Sequence, residues 1–253
     1  MMRVNWDSSA SLAHRWGRPF TLGLTLLLVA AAVPFWQARM LALHDATAID
    51  YHSFVSYGRT WLAGEGFYRA YQLAGPYPFH DPTLVASSLT SPNYYPPPFA
   101  LVCALLTVLP ALLWWALPIG AVGYCLASWR PAAWTWPLLA LILFWPATSV
   151  AVIVGGSTMW VTALVALGLR FRWPAVLILL KPSFLPLALI GIRHRSWWIG
   201  LAVLGAVSLA LLPMWPQWIT AMRNAVGSPP LYSALDLPLV LAPALAWFTR
   251  SRR

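Results

Sequence analysis

Charge is what this chain has least of. Only 9% of its residues are Asp, Glu, Lys or Arg, while 60% are hydrophobic. Soluble domains carry charge on roughly a quarter of their residues, so an ordinary water-soluble protein is excluded. Acids are the scarcer sign: six Asp and Glu stand against sixteen Lys and Arg, a formal net charge of +10. Lysine is nearly missing, with Lys181 alone among fifteen arginines. There are two cysteines, Cys103 and Cys125, both inside apolar runs. They read as fillers of a membrane interior rather than as a disulfide or metal pair. The chain has no G-x-x-x-x-G-K-[ST] loop, no H-E-x-x-H and no dinucleotide fingerprint. It also lacks any acidic pair with one intervening residue, so no metal ligand is assigned.

What is present is apolar length. Pro19–Leu43 and Trp197–Leu212 are long enough, or nearly so, to cross a hydrocarbon layer. Seventeen Trp and nine Tyr suit the headgroup level of a bilayer. These features predict an all-α, polytopic, integral membrane protein. Its arginines are scattered between apolar runs, which fits loops held on the cytoplasmic side and not a nucleic-acid stripe. Residues 1–18, with Arg3, Arg15 and Arg18, read as a cytoplasmic tail. No small-x-small site follows it, so 19–43 reads as a retained first transmembrane helix rather than a leader. An outer loop over 44–96, a multi-helix membrane domain over 97–249 and a basic tail over 250–253 complete the expected organisation. Apolar blocks fall at Pro98–Ser128, Ala132–Val150, Thr158–Leu169, Trp173–Ile192, Trp197–Leu212 and Leu231–Phe248. The arginines flanking Trp173–Ile192 agree with an inside location only if that block dips in and returns, broken at Lys181-Pro182. Six to eight membrane segments are expected.

The segment from His44 to Tyr95 holds Asp45, Asp50, Glu65 and Asp81, four of the six acids, but only Arg59 and Arg69 among the cations. It should therefore lie outside. Its aromatic content argues for order, and its length for a role beyond connection. Ala48–Leu62 has a helical period that Gly64 and Gly66 would end. Such a helix is expected on the outer membrane surface with Phe54, Tyr57 and Trp61 toward lipid.

Asp50 is the foremost candidate for chemistry. A carboxylate just beyond the first span can meet the phosphate end of a lipid and take a proton from a sugar hydroxyl. The competing reading is an exposed Asp at a helix start. Its neighbour His52 is a second polar group at the same level. Asp45 lies closer to the span and reads as a boundary residue. Asn93, Tyr94 and Tyr95 offer an amide and two phenols where the chain re-enters the membrane, either for a sugar or phosphate or as an interfacial belt. Lys181 interrupts an apolar run, where an ammonium is costly unless paired, and snorkelling is the alternative. Ser157, within Gly155-Gly156-Ser157-Thr158, sits either at an anion-binding helix start or in a plain turn.

Taken in order, several stretches resemble the polyprenol-phosphate-sugar-dependent glycosyltransferases of family 87, multi-spanning enzymes of the GT-C fold. They are Asp50-Tyr51, then Tyr57…Leu62-Ala63-Gly64-Glu65-Gly66-Phe67-Tyr68, then Tyr94-Tyr95-Pro96-Pro97-Pro98-Phe99, and Lys181-Pro182 in a broken segment. The resemblance implies a GT-C-like membrane enzyme of the cell membrane, without cofactor, that moves a sugar, often mannose, from a polyprenyl-phosphate carrier. The acceptor would be a glycolipid or glycan hydroxyl on the outer side. Asp50 would be the general base of an inverting displacement. His52, Asn93, Tyr94, Tyr95, Ser157 and Lys181 would bind substrate, Lys181 through phosphate. Where members carry Gly-Gln-x-Asn, this chain has Gly155-Gly156-Ser157-Thr158. Members are also commonly longer, so further C-terminal helices are expected to be missing. The competing reading is a non-catalytic lipid-carrier-binding or transporter-like subunit completed by a membrane partner. Concentration of polar residues in one loop, without paired repeats, favours the enzyme.

Overall fold

The structure, a computed structural model, describes residues 7–78, 91–227 and 234–250, with side chains from Gly17 onward. Asp81 lies outside the described residues, as do parts of the expected outer loop and both terminal tails. The described chain is almost entirely helical.

Helix α1 runs over Asp7–Ala42. Its apolar stretch Gly17–Ala42 has 26 residues; at 1.5 Å per residue it exceeds the roughly 30 Å of a hydrocarbon core. Phe20, Leu26 and Leu41 on it are at least 70% exposed. An apolar surface of that length is unstable against water and stable against lipid. The rest of the fold holds α1 by one end: the Trp36 indole donates to the Leu143 carbonyl at 3.0 Å, and Arg39 Nε donates to Ser149 Oγ at 2.9 Å.

After a short 3₁₀ turn at His44–Ala46 come α2 (Ile49–Leu62), α3 (Ala70–Ala74) and β1 (Tyr77–Pro78). The remaining helices are α4 (Phe99–Leu106), α5 (Leu112–Trp129), α6 (Thr135–Leu141), α7 (Pro146–Ile153) and α8 (Thr158–Phe171). They are followed by 3₁₀ runs at Trp173–Leu180 and Pro182–Leu189, then α9 (Arg195–Ala210), α10 (Trp215–Asn224), β2 (Ala225–Val226) and α11 (Leu237–Phe248). β1 and β2 pair in parallel.

Among the described residues, two helices are long and apolar enough to cross a membrane, α1 from Gly17 and α5. The number is up to four if two bent pairs each count as one span: Thr135–Phe144 with α7, bent by 67°, and α9 with Leu212–Asn224, bent by 72°. The sequence-based count of six to eight came from apolar blocks, and proline divides those blocks. Pro110 separates α4 from α5 where one block ran from Pro98 to Ser128. Pro146 and Pro213 sit at the two bends, where a ring without an N–H cannot continue the ladder.

The Trp173–Ile192 block is a broken hairpin. Each 3₁₀ arm has eight residues; at ~2 Å per residue that is about half of a hydrocarbon core. Lys181 breaks the run with φ −124° and ψ 87°. The ends of the block meet: Gly191 has φ +87°, and a Cβ on it would press into Arg172. α8 is the central post. Val161 and Val165 pack on Val176 and Ile178 of the hairpin, while Ala166 packs with Cys125 and Ala246 of α5 and α11.

The placement of the α2 aromatics corrects one expectation. Phe54 is 3% exposed and Tyr57 2%, and Trp61 is partly buried. They face protein and not lipid, in a cluster with Phe67, Phe99 and Trp114. α4 takes the place lipid was expected to fill. The two helices approach so closely at Gly58 that a Cβ there would fall inside the Cys103 carbonyl.

Candidate active site

Asp50 lies in the first turn of α2, and the end of α7 fixes that turn. A helix end leaves carbonyls without intrahelical partners, and here four consecutive ones find donors. Trp115 Nε1 donates to the Val152 carbonyl at 2.8 Å, and Trp114 Nε1 to that of Gly155 at 2.8 Å. The backbone N–H of Ala48 donates to Ile153 at 2.8 Å and that of Asp50 to Val154 at 2.9 Å. The N-terminus of one helix and the C-terminus of another thus satisfy each other. Gly155 is needed in this knot: its φ is +74°, and a Cβ would crowd Trp115 and Tyr51. No side chain caps α2, so Asp50 is not its cap.

From this anchor the Asp50 carboxylate reaches Gly156 and a cavity of about 350 Å³. Tyr94, Tyr95, Ser157, Lys181 and Asp236 line the same cavity. Tyr95 and Ser157 share a hydrogen bond of 2.7 Å between hydroxyls, and the Tyr95 ring stacks on Phe99 at 4.1 Å. Lys181 Nζ donates to Thr158 Oγ1 at 2.7 Å, and Thr158 Oγ1 donates onward to Asp236 Oδ2 at 2.8 Å. Nζ to Oδ2 is 3.9 Å. The ammonium has three donors, so this relay leaves capacity toward the cavity. Burial raises the Asp50 carboxyl to about pKa 6, Lys181 lowers it in part, and Asp236 raises it again. The first turn of α8, from Ser157 and Thr158, also faces the cavity, and a helix N-terminus favours negative charge there.

Neither a family model nor a curated protein nor a solved structure matches this chain.

Of the residues singled out from the sequence, Asp50, Tyr94, Tyr95, Ser157 and Lys181 share the cavity. Two others lie elsewhere. Asn93 is fully buried beneath it, where Nδ2 donates to the Phe67 carbonyl and Oδ1 accepts the Tyr95 N–H; it shapes the loop that carries the tyrosines. His52 is exposed and lines a separate groove with Arg59. Two residues along a helix turn a side chain by about 200°, which carries His52 to the far side of α2 from Asp50. Asp45 is exposed beside His44, away from the cavity. The sequence reading missed Thr158 and Asp236. Asp236 precedes Leu-Pro at a helix start and passes for an ordinary cap. Its one visible signal was rarity, since only Asp7 and Asp236 lie outside the acid-rich segment.

The loop segment is also held from the far end of the chain. Gln72 is fully buried and donates to Tyr77 Oη and the Asn93 carbonyl. Tyr77 Oη then donates to Ala221 of α10, and Trp218 Nε1 of α10 donates to the Tyr94 carbonyl at 3.1 Å. Carboxylate, ammonium, phenol and hydroxyl therefore meet in a pocket to which both halves of the chain contribute hydrogen bonds. Such a set can move a proton and can bind a phosphate.

Proposed function

We propose that this chain is a membrane glycosyltransferase of GT-C type. It moves a hexose, mannose by the family resemblance, from a polyprenyl-phosphate carrier to an acceptor hydroxyl on the extracytoplasmic face of the cell membrane. The observation that carries this reading is the meeting of Asp50 and Lys181 in one cavity, the carboxyl held near pKa 6. A base poised near working pH takes a proton most effectively. Asp50 removes the proton of the acceptor hydroxyl, and that oxygen bonds to the anomeric carbon. The bond from this carbon to the carrier phosphate breaks, and the electron pair leaves with the phosphate. Lys181 and the first turn of α8 stabilise the charge that develops there. Attack opposite the leaving group inverts the anomeric centre. Tyr94, Tyr95 and Ser157 hydrogen-bond the sugar.

The test uses purified protein in lipid nanodiscs with polyprenyl-phosphate mannose and a hydroxyl acceptor. Wild type forms glycosylated product, and Asp50→Asn, expressed at the same level, forms none. Equal turnover by Asp50→Asn removes that residue from the role of base. Absence of turnover with every polyprenyl-phosphate sugar transfers the chain to the lipid-carrier-binding class.

A further inference from the structure

α2 presents two different faces. Asp50, Ser53, Phe54 and Tyr57 turn to the cavity described above, while His52, Ser56, Arg59 and Thr60 line a separate groove of about 630 Å³. Steps of three and four residues put the second set on one side of the helix. The opposite wall is the turn joining α4 to α5, through Thr107 and Leu109.

This groove carries cationic and hydroxyl groups, and no carboxylate lines it. Arg59 and His52 are exposed, and neither makes an ion pair among the described residues. Ser56 Oγ accepts a hydrogen bond of 2.8 Å from Arg69 Nη2. A hydroxyl that accepts still has its own proton to donate. The Arg69 guanidinium thus stands behind Ser56 as a second positive charge, and its buried Nε has no acceptor among the described residues.

Depth adds an independent constraint. α5 is one of the two helices long and apolar enough to cross a membrane, and it begins at Leu112, directly after the groove-lining turn. The groove therefore lies just past the end of a span, level with lipid headgroups. Leu112 and Ile119, seven residues apart on one face of α5, are 74% and 59% exposed. An apolar stripe thus leads from the groove into the hydrocarbon, with the 77% exposed Val108 at its head.

We infer that the groove seats the headgroup of an anionic glycerophospholipid from the surrounding leaflet. Its phosphate meets Arg59 and the hydroxyls, and its acyl chains follow the stripe on α5. The site is separate from the candidate active site, since α2 stands between them, and the inference holds whether or not the chain is a transferase. A cation at headgroup depth favours an anionic lipid about fivefold. A choline lipid brings an ammonium into a groove that has no carboxylate to receive it. A lipid also arrives already concentrated by its membrane, which a soluble phosphate ester does not.

The test places the full chain in nanodiscs of equal parts phosphatidylglycerol and phosphatidylcholine. A photoreactive benzoylphenylalanine replaces Leu109 in the groove wall, and mass spectrometry identifies the lipid captured. Phosphatidylglycerol should exceed phosphatidylcholine about fivefold. The same photoreactive group replacing Leu209, exposed on α9, should capture the two equally. Arg59→Gln should abolish the preference at position 109, and Arg59→Lys should retain most of it; an unchanged thermal midpoint shows that each variant is folded. Equal capture of the two lipids at position 109 overturns the inference, as does a preference that survives Arg59→Gln. Millimolar glycerol 3-phosphate should leave capture unchanged; if it displaces the lipid, the groove is a site for a soluble phosphate ester and the lipid assignment falls. No arm reads turnover, so failure here leaves the transferase reading standing, and failure of that reading leaves the groove.

Discussion

A single carboxyl sets the pH behaviour of the site. Burial raises Asp50 from 3.8 to about 6, so between those values the folded chain binds a proton that the unfolded chain releases. Stability from this group is therefore full below about pH 4 and is lost as pH rises through 6. Asp50→Asn is expected to raise the thermal midpoint at pH 8, by the equivalent of about 1–3 kcal/mol, with the gain vanishing near pH 4; equal midpoints at both pH values would refute the assignment. Activity runs the other way: kcat/KM should fall about tenfold per pH unit below 6 as the base is protonated. Asp236 makes a second case. Removing one member of a fully buried charge pair costs about 3–5 kcal/mol; Asp236 is 22% exposed and 3.9 Å from Lys181, so Asp236→Asn should lower the midpoint by less than that. The double variant Asp236→Asn with Lys181→Met should recover most of the loss, and thermal scanning of all three proteins checks it. Asp50 and Lys181 were legible in the sequence because each breaks a local pattern. Asp236 was not, because its partner lies far along the chain and its own surroundings look like a routine helix start. His52 was misplaced for a different reason: closeness in sequence to Asp50 becomes opposition on a helix.

Among the elements, the contact of α2 with α4 determines whether the site exists. Gly58 lets the α2 backbone meet the Cys103 carbonyl. Gly58→Ala should force the helices apart, shift Asp50 and abolish activity, while Gly75→Ala, where a Cβ would meet nothing within 4 Å, should be tolerated. Thermal midpoint and turnover together check this, and a fully active Gly58→Ala protein would contradict the packing. The boundaries of α2 were readable from Gly64 and Gly66, but the side it buries was not. An aromatic face on a loop helix suits lipid and protein equally, and only the position of α4 decides between them. The hairpin around Lys181 was readable, since three prolines within Trp173–Leu189 forbid a continuous α-helix and the flanking arginines demand a return.

For the whole molecule, one group of arginines gathers at a single end. Pro131 bridges Arg250, Arg170 reaches Tyr124 near the end of α5, and Arg172 meets Gly191 beside Arg193. These arginines gather where α8 ends, about 20 Å from the cavity, one α8 length by helix rise, whereas Arg39 and Arg69 bond Ser149 and Ser56 nearer the cavity. Single cysteines replacing Arg130, Arg193 and Arg250 should react with a membrane-impermeant maleimide from one side, and those replacing Asp45 and Glu65 from the other. Cys103 and Cys125 are fully buried and should stay silent. Labelling of all five from one side would refute this arrangement. The number of crossings was the least legible property. Composition counts apolar residues, but proline and bending decide how they are spent.

The knot between Ala48–Asp50 and the carbonyls of Ile153 and Val154 has a consequence in time. Its donors and acceptors are separated by roughly a hundred residues, so the contact is strongly non-local and must close late. A ribosome that has delivered α1 and α2 has delivered Asp50 without the frame that aims it. The frame around Asp50 is thus complete only once the second half of the chain has been made, and a product clipped before α7 lacks it.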